Sequence, residues 1–314
     1  MKDIQALHHH LDLVEDIYHN PASQAKALTF MARPFVQATL PHRDPGNINV
    51  WQRRNGRLTL KLQAGFEEDP RSGDPKCIGF PFGTIPRLLL FWMTAEVIRS
   101  NNKIIEFNGS LSSFLNDVGI GSLTGGKNGS ILRFKDQLKR LLFSTFTIDE
   151  KVQNADGSHG INFMNIGVAS RGYIEWIPGW QTKIDNQRES VRNKEIYWIE
   201  LTENFFKTLT HSVVPLDMRI IQEIKQSPLA LDLYAWLVHR TYENTEKQIS
   251  KSESFVSWRL LHDQFGSSYN DMKNFKKKVK PILKQILSLT RNMSIEEVNG
   301  GIKIRPKLRV LNFR

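Results

Sequence analysis

The sequence predicts an α+β protein of two tandem winged-helix domains, each a helix-turn-helix followed by a β-hairpin, behind an N-terminal extension holding a helix and a hairpin. Three observations carry this. The 314 residues exceed what one hydrophobic core usually organises, so about two domains are expected. The order helix, helix, helix, hairpin occurs twice along the chain, which is the order of a winged helix-turn-helix. Both hairpins carry turn-forming segments, Asn154-Ala155-Asp156-Gly157 and Asn299-Gly300-Gly301, between strand-like runs.

The extension, residues 1–79, begins with a predicted helix containing Leu28, Phe30 and Met31, then the turn-rich LPHRDPGN. A hairpin follows, with residues 51–53 and 58–62 flanking Arg54-Asn55-Gly56, and the loop EEDPRSGDPK closes the region. In the first winged-helix domain, residues 80–178, Pro86 suits a first helical turn and residues 88–98 continue as an apolar helix. Ser110 caps a short helix over 111–118 that Gly119 ends. The link GIGSLTGGKNGS leads to a helix over 131–143, then strands over 145–152 and 160–169 and a third near 173–177. A polar linker spans 179–195. The second domain, residues 196–314, repeats the order: a strand at 196–201, helices near 202–210 and 215–225, and a longer helix from Pro228 over 229–242. A short helix over 257–265 ended by Gly266, a helix over 271–289, and strands over 293–298 and 302–306 complete it.

Composition narrows the function classes. The chain is 40% hydrophobic and 24% charged, ordinary globular values. The single cysteine, Cys77, can form neither an internal disulfide nor a cysteine-based zinc site. No apolar run is long enough to cross a bilayer, and the opening MKDIQALHHHLDLVED lacks a signal-peptide core, so a cytoplasmic location without membrane contact is expected. His8, His9 and His10 are assigned no role. No catalytic, metal or cofactor motif is recognised. Gly121 to Asn128, GSLTGGKN, approaches the phosphate-loop pattern, but Asn128 replaces its magnesium-binding hydroxyl and the loop follows a helix rather than a strand.

Charge points to a polyanion. The net charge is +11, and from residue 270 to 314 twelve basic residues face three acids, leaving +9 in that stretch. On the helix over 271–289, Phe275, Val279, Ile282 and Ile286 share one side, with Met272, Leu283 and Leu289 at its margins, while lysines crowd the opposite side. A solvated face normally mixes signs; here the one acid, Asp271, sits at the N-terminus. In a helix-turn-helix the first turns of the second helix enter the major groove, which makes Tyr269, Asn270, Lys273, Asn274 and Lys277 the base-reading candidates for double-stranded DNA. Lys276, Lys280 and Lys284 are phosphate candidates, Lys303 and Arg305 candidate wing contacts, and Pro281 is expected to bend the helix. In the first domain Arg133, Lys135 and Arg140 form either a phosphate-binding or a merely exposed face, and Lys127 a phosphate candidate in the glycine-rich loop.

These stretches resemble the RepA-type plasmid replication initiators, a family that includes TrfA-like initiators. The resemblance is carried by FMARPFVQATLPHRDP, the RRNG hairpin, FPFGTIPRLLLFWMTAEVIRS, SLSSFLNDVGI with TGGKNGSILRFKDQLKRLL, LALDLYAWLVHRTY, and SWRLLHDQFG with FKKKVKPILK. Pro281 inside the last helix departs from the pattern, and the first thirty residues carry no matching stretch. The resemblance implies a non-enzymatic initiator that binds iterons, directly repeated sites at a plasmid origin. It implies origin opening and recruitment of the host initiator and replicative helicase, with the C-terminal domain reading bases. The first domain then contacts backbone as a monomer or forms a homodimer, and dimers can repress their own gene. A winged-helix transcription regulator without a replication role is the alternative.

Overall fold

The computed structural model describes residues 2–107, 115, 118–120, 129–154, 156–173, 197–246, 253–266, 269, 271–290 and 293–306. The described elements begin with α1 (Lys2–His19), β1 (Leu28–Ala32) and α2 (Arg33–Gln37). Then come β2 (Trp51–Asn55), β3 (Leu58–Gln63), β4 (Gly65–Glu68), β5 (Pro75–Gly79), α3 (Thr84–Ser100), β6 (Ile104–Phe107) and α4 (Ser130–Leu142). They continue with β7 (Thr145–Gln153), β8 (His159–Gly167), β9 (Ala169–Tyr173), β10 (Tyr197–Leu201) and α5 (Glu203–His211). The last are β11 (Val213–Asp217), α6 (Met218–Ile224), α7 (Pro228–Glu246), β12 (Ser254–Ser257), α8 (Trp258–Phe265), α9 (Met272–Leu289), β13 (Met293–Val298) and β14 (Gly301–Pro306). The architecture is mixed helix and sheet. The expected helix over 111–118, apart from buried Leu115 and Val118, and the linker over 179–195 lie outside the described residues, as do residues 174–177 of the third strand.

The chain forms two compact units with boundaries unlike those expected: a central unit, Leu40–Ser212, and a terminal unit built from Met1–Thr39 and Val213–Arg314. The reason is a strand pair the sequence pattern hid. Leu28, Phe30 and Met31 do not form a helix; they lie on β1, which pairs antiparallel with β11 so that Phe30 faces Pro215 and Met31 faces Val214. Thr29 and Met31 are buried while Leu28 and Phe30 are half-buried, a period of two rather than 3.6. α2 then packs on α7, and the Gln264 side-chain amide donates to the Gln37 carbonyl (2.8 Å), so the first 39 residues close the terminal unit instead of extending from it.

In the central unit one four-stranded sheet runs β2-β3-β7-β8, a second β6-β10-β9, and β4 pairs with β5. The loop EEDPRSGDPK is therefore the connection of a hairpin. The β2–β3 turn is tighter than expected: Asn55 already pairs with Leu58, leaving Gly56 and Arg57 as the loop, and Gly56 takes φ +60, where a side chain would strain the backbone. Leu60, Leu62, Phe146 and Ile166 are buried on the first sheet, where Phe146 stacks on Phe205 of α5, and Leu89 and Met93 of α3 and Phe134 and Leu141 of α4 are buried where α3 packs against α4. A charge lies inside this core. Arg87 is 1% exposed and donates to the carbonyls of Leu40 (2.7 Å), Pro41 (3.1 Å) and Gly83 (2.6 Å), locking the loop after residue 39 to the start of α3. Its removal would orphan buried acceptors, at about 1–3 kcal/mol each.

In the terminal unit, α6 is anchored by Arg219. Its guanidinium binds Asp217 (2.7 Å), which also caps the helix, and reaches Asp16 (2.6 Å) and the Asn20 carbonyl (2.8 Å) at the end of α1. The Tyr234 hydroxyl of α7 accepts from the Asp217 backbone N–H (3.0 Å), and burial pushes its phenol up. After α7 come β12, α8, α9 and the β13–β14 hairpin, and the three strands form a sheet of order β12-β14-β13. α1 packs against α9. Among the described residues, no helix is long and apolar enough to cross a membrane, and no cluster of His, Cys, Asp or Glu suits a metal ion.

Candidate nucleic-acid interface

Local chemistry places α8 and α9. The Ser257 hydroxyl accepts from the Leu260 N–H (3.2 Å), and the carbonyl of Gly300 in the hairpin turn takes the Trp258 N–H (3.0 Å). Gly266 ends α8 where a Cβ would lie 2.5 Å from the His262 carbonyl oxygen, so only glycine allows this turn. Asp271 then starts α9: its carboxylate accepts from the backbone N–H and the side-chain amide of Asn274, both at 2.7 Å. Such a cap contributes about 1 kcal/mol. Phe275, Val279, Leu283, Ile286 and Leu289 are buried, so the stripe runs through Leu283, with Ile282 at its margin, the reverse of the expected placing. The helix is continuous through Pro281, whose missing N–H leaves the Lys277 carbonyl without its helical donor.

The opposite face is not uniform. Lys273, Lys277 and Lys284, with Lys278 beside them, are exposed and have no ion-pair partner among the described residues. Lys276 and Lys280 instead lie over the indole of Trp258, their ammonium nitrogens 5.4 Å and 5.9 Å from its ring centroid, and Lys280 also pairs with Glu297 of the hairpin (2.7 Å). The side-chain amide of Asn274 is engaged by Asp271, which fixes its orientation and leaves its carbonyl oxygen outward-capable. Tyr269 is half-buried, its ring edge-on to Phe275 at 5.7 Å and its carbonyl 3.3 Å from His262 Nε2. Asn270 lies outside the described residues. On β14, Lys303 pairs with Glu253 (2.6 Å), and Arg305 pairs with Glu253 and more distantly with Glu296 (3.5 Å).

The central unit's helix α4 differs. Arg133 is exposed and unpaired among the described residues, whereas Lys135 is half-buried and desolvation lowers its pKa. Lys139 pairs with Glu67. Arg140 is committed to the unit: it pairs with Asp136 (2.9 Å) and Asp44 (3.4 Å), donates to the Phe80 carbonyl (3.2 Å) and stacks over Phe82. Lys127 and the glycine-rich loop lie outside the described residues. The sequence reading missed Trp258 and the carboxylates Glu253 and Glu297. A tryptophan beginning the helix that precedes a lysine run was the one available sign; the carboxylates are brought in by strand pairing.

The model of a family described as plasmid encoded RepA protein matches residues 80–259, more than half of the chain. No curated protein matches the chain significantly. Among solved structures, a selenomethionine crystal structure of domains 2 and 3 of RctB aligns with a TM-score of 0.49 at 12% identity, covering 90% of this chain and 100% of that one. Another structure of RctB domains 2–3 aligns with a TM-score of 0.47 at 11% identity, covering 87% and 96%.

Proposed function

This chain belongs to the plasmid-encoded RepA protein family, and on that premise we propose that it is a plasmid replication initiator that binds repeated double-stranded sites at its origin. The observation that carries the DNA-binding reading is the lysine face of α9, on which Lys273, Lys277, Lys278 and Lys284 are exposed with no ion-pair partner among the described residues, between α8 and a hairpin. In this reading α7, α8, α9 and the β12-β14-β13 sheet act as a winged helix-turn-helix. Lys273, Asn274 and Lys277 in the first two turns meet base edges, and Lys276, Lys280 and Lys284 meet phosphate. Monomers dock on iterons, promote opening of the duplex and recruit the host initiator and helicase. The central unit contacts backbone through Arg133 or pairs two copies. For pairing, the support is the edge strand β8, which exposes Ile161 (59%), Phe163 (71%) and Met164 (43%).

The test is footprinting on the DNA flanking the gene together with plasmid maintenance in a host lacking it. Protection of direct repeats of roughly 20 base pairs, two helical turns apart, with maintenance restored by the chain, is expected. Protection without maintenance would make the protein a transcription regulator, and absence of both would remove the reading.

A further inference from the structure

Lys303 and Arg305 lie two residues apart on β14, the central strand of its sheet, while Ile302 and Ile304 turn the alternate face into the core at 1% and 0% exposure. The two cations therefore share the outer face. Glu253, just before β12, reaches across that face and takes both: Lys303 Nζ lies 2.6 Å from Oε1, and Arg305 Nε donates to Oε2 at 2.5 Å. Glu296, which faces Lys303 in the β13–β14 register, lies 3.5 Å from Arg305. Two cations thus face two carboxylates, and this part of the hairpin is locally neutral, unlike α9. Hydrogen bonds from Lys303 first, then Arg305, hold the Glu253 carboxyl below the ordinary glutamate range, so it is charged at neutral pH. All four side chains keep substantial exposure, 29–59%, so water and ions reach the pairs and exchange costs little.

We propose that Glu253 is an intramolecular rival to DNA phosphate: it holds Lys303 and Arg305 side by side in the unbound hairpin, and binding requires DNA to take them from it. This deepens the DNA-binding reading above and rests on it. Glu253 acts as a positioning residue that lowers affinity for any duplex. Phosphate contacts carry no sequence information, so a restraint on them curbs non-specific binding while leaving the base-reading face of α9 untouched.

The experiment is a double-mutant cycle on the full chain, measuring affinity for an unrelated duplex against salt concentration. Glu253→Gln is expected to tighten binding about two- to fivefold, the worth of an exposed ion pair, and to steepen the log–log salt slope by up to about 0.9. In a Lys303→Gln/Arg305→Gln background the same change is expected to do nothing. Unchanged or weaker binding by Glu253→Gln, or equal tightening in both backgrounds, would overturn the proposal. Glu253→Asp keeps the charge with a shorter reach; it should fall between wild type and Gln, and it serves as the readout if the Gln variant does not fold. Lys273→Ala/Lys277→Ala, measured on the origin sites, separates the two readings. If that pair leaves affinity intact, the DNA-binding reading itself fails; if it abolishes binding while Glu253→Gln does not tighten it, only the rivalry fails.

Discussion

Helices α9 and α4 carry the same design in sequence, an apolar stripe backed by lysine and arginine after a helix or turn. In space they diverge. On α4 the carboxylates of Glu67, Asp136 and Asp44 meet Lys139 and Arg140, and the Arg140 guanidinium fills the space beside Gly79, where a Cβ would lie 2.6 Å away. On α9, Asp271 is used as a cap, Glu297 reaches only Lys280, and Lys273, Lys277, Lys278 and Lys284 remain exposed. The difference lies in the acids that reach each helix: on α4, Asp136 of the helix itself with Glu67 and Asp44 from other segments. Lys139 and Arg140 of α4 thus tie the central unit together, whereas Lys273, Lys277, Lys278 and Lys284 of α9 meet no carboxylate among the described residues.

The largest expected effect comes from breaking the α9 side. Lys273→Ala/Lys277→Ala should cost at least about thirtyfold in affinity for the origin sites, measured by gel shift, at about 1–3 kcal/mol for each of the two lost base contacts. On the other side, Arg140→Ala should lower the thermal stability of the chain by about 2 kcal/mol while the folded fraction keeps its DNA affinity. A loss of affinity without loss of stability would place Arg140 on DNA and erase the contrast. Asp271→Ala removes the α9 cap and should destabilise the terminal unit by about 1 kcal/mol, read from urea unfolding.

A smaller effect concerns acid. Hydrogen bonds from Arg171 and then Lys103 lower the pKa of Glu200 on β10, so its contribution is present above the ordinary glutamate value of about 4.3 and lost as pH falls through the lowered one. Melting curves of wild type and Glu200→Gln should therefore differ at neutral pH and converge in acid below that range.

Much of the fold was legible because its signals are local. Ser257, Gly266, Asp271 and the Gly300 turn each satisfy or permit a nearby backbone group, and α8, α9 and the last hairpin begin and end where those residues predict. β1 and β11 were not legible. Leu28, Phe30 and Met31 fit a helical face as well as a strand, and Pro215 argues against a strand; in a two-stranded pair proline is tolerated because there is no further ladder for it to break. The division into units followed from that pair and was lost with it. Of the site, the lysine face was visible from helical spacing, whereas its neutralised portion was not: Glu253 lies 52 residues from Arg305, and only the β12–β14 pairing brings them together.

An open phosphate and base surface on α9, and none on α4 beyond Arg133, is read from the salt dependence of duplex binding by two variants side by side: Lys273, Lys277, Lys278 and Lys284 all changed to Ala, and Arg133 with Lys135 changed to Ala. The α9 variant should lose about 0.9 of log–log slope for each phosphate contact removed, and the α4 variant should lose at most the share of Arg133. Equal losses, or a larger loss on the α4 side, would contradict the account.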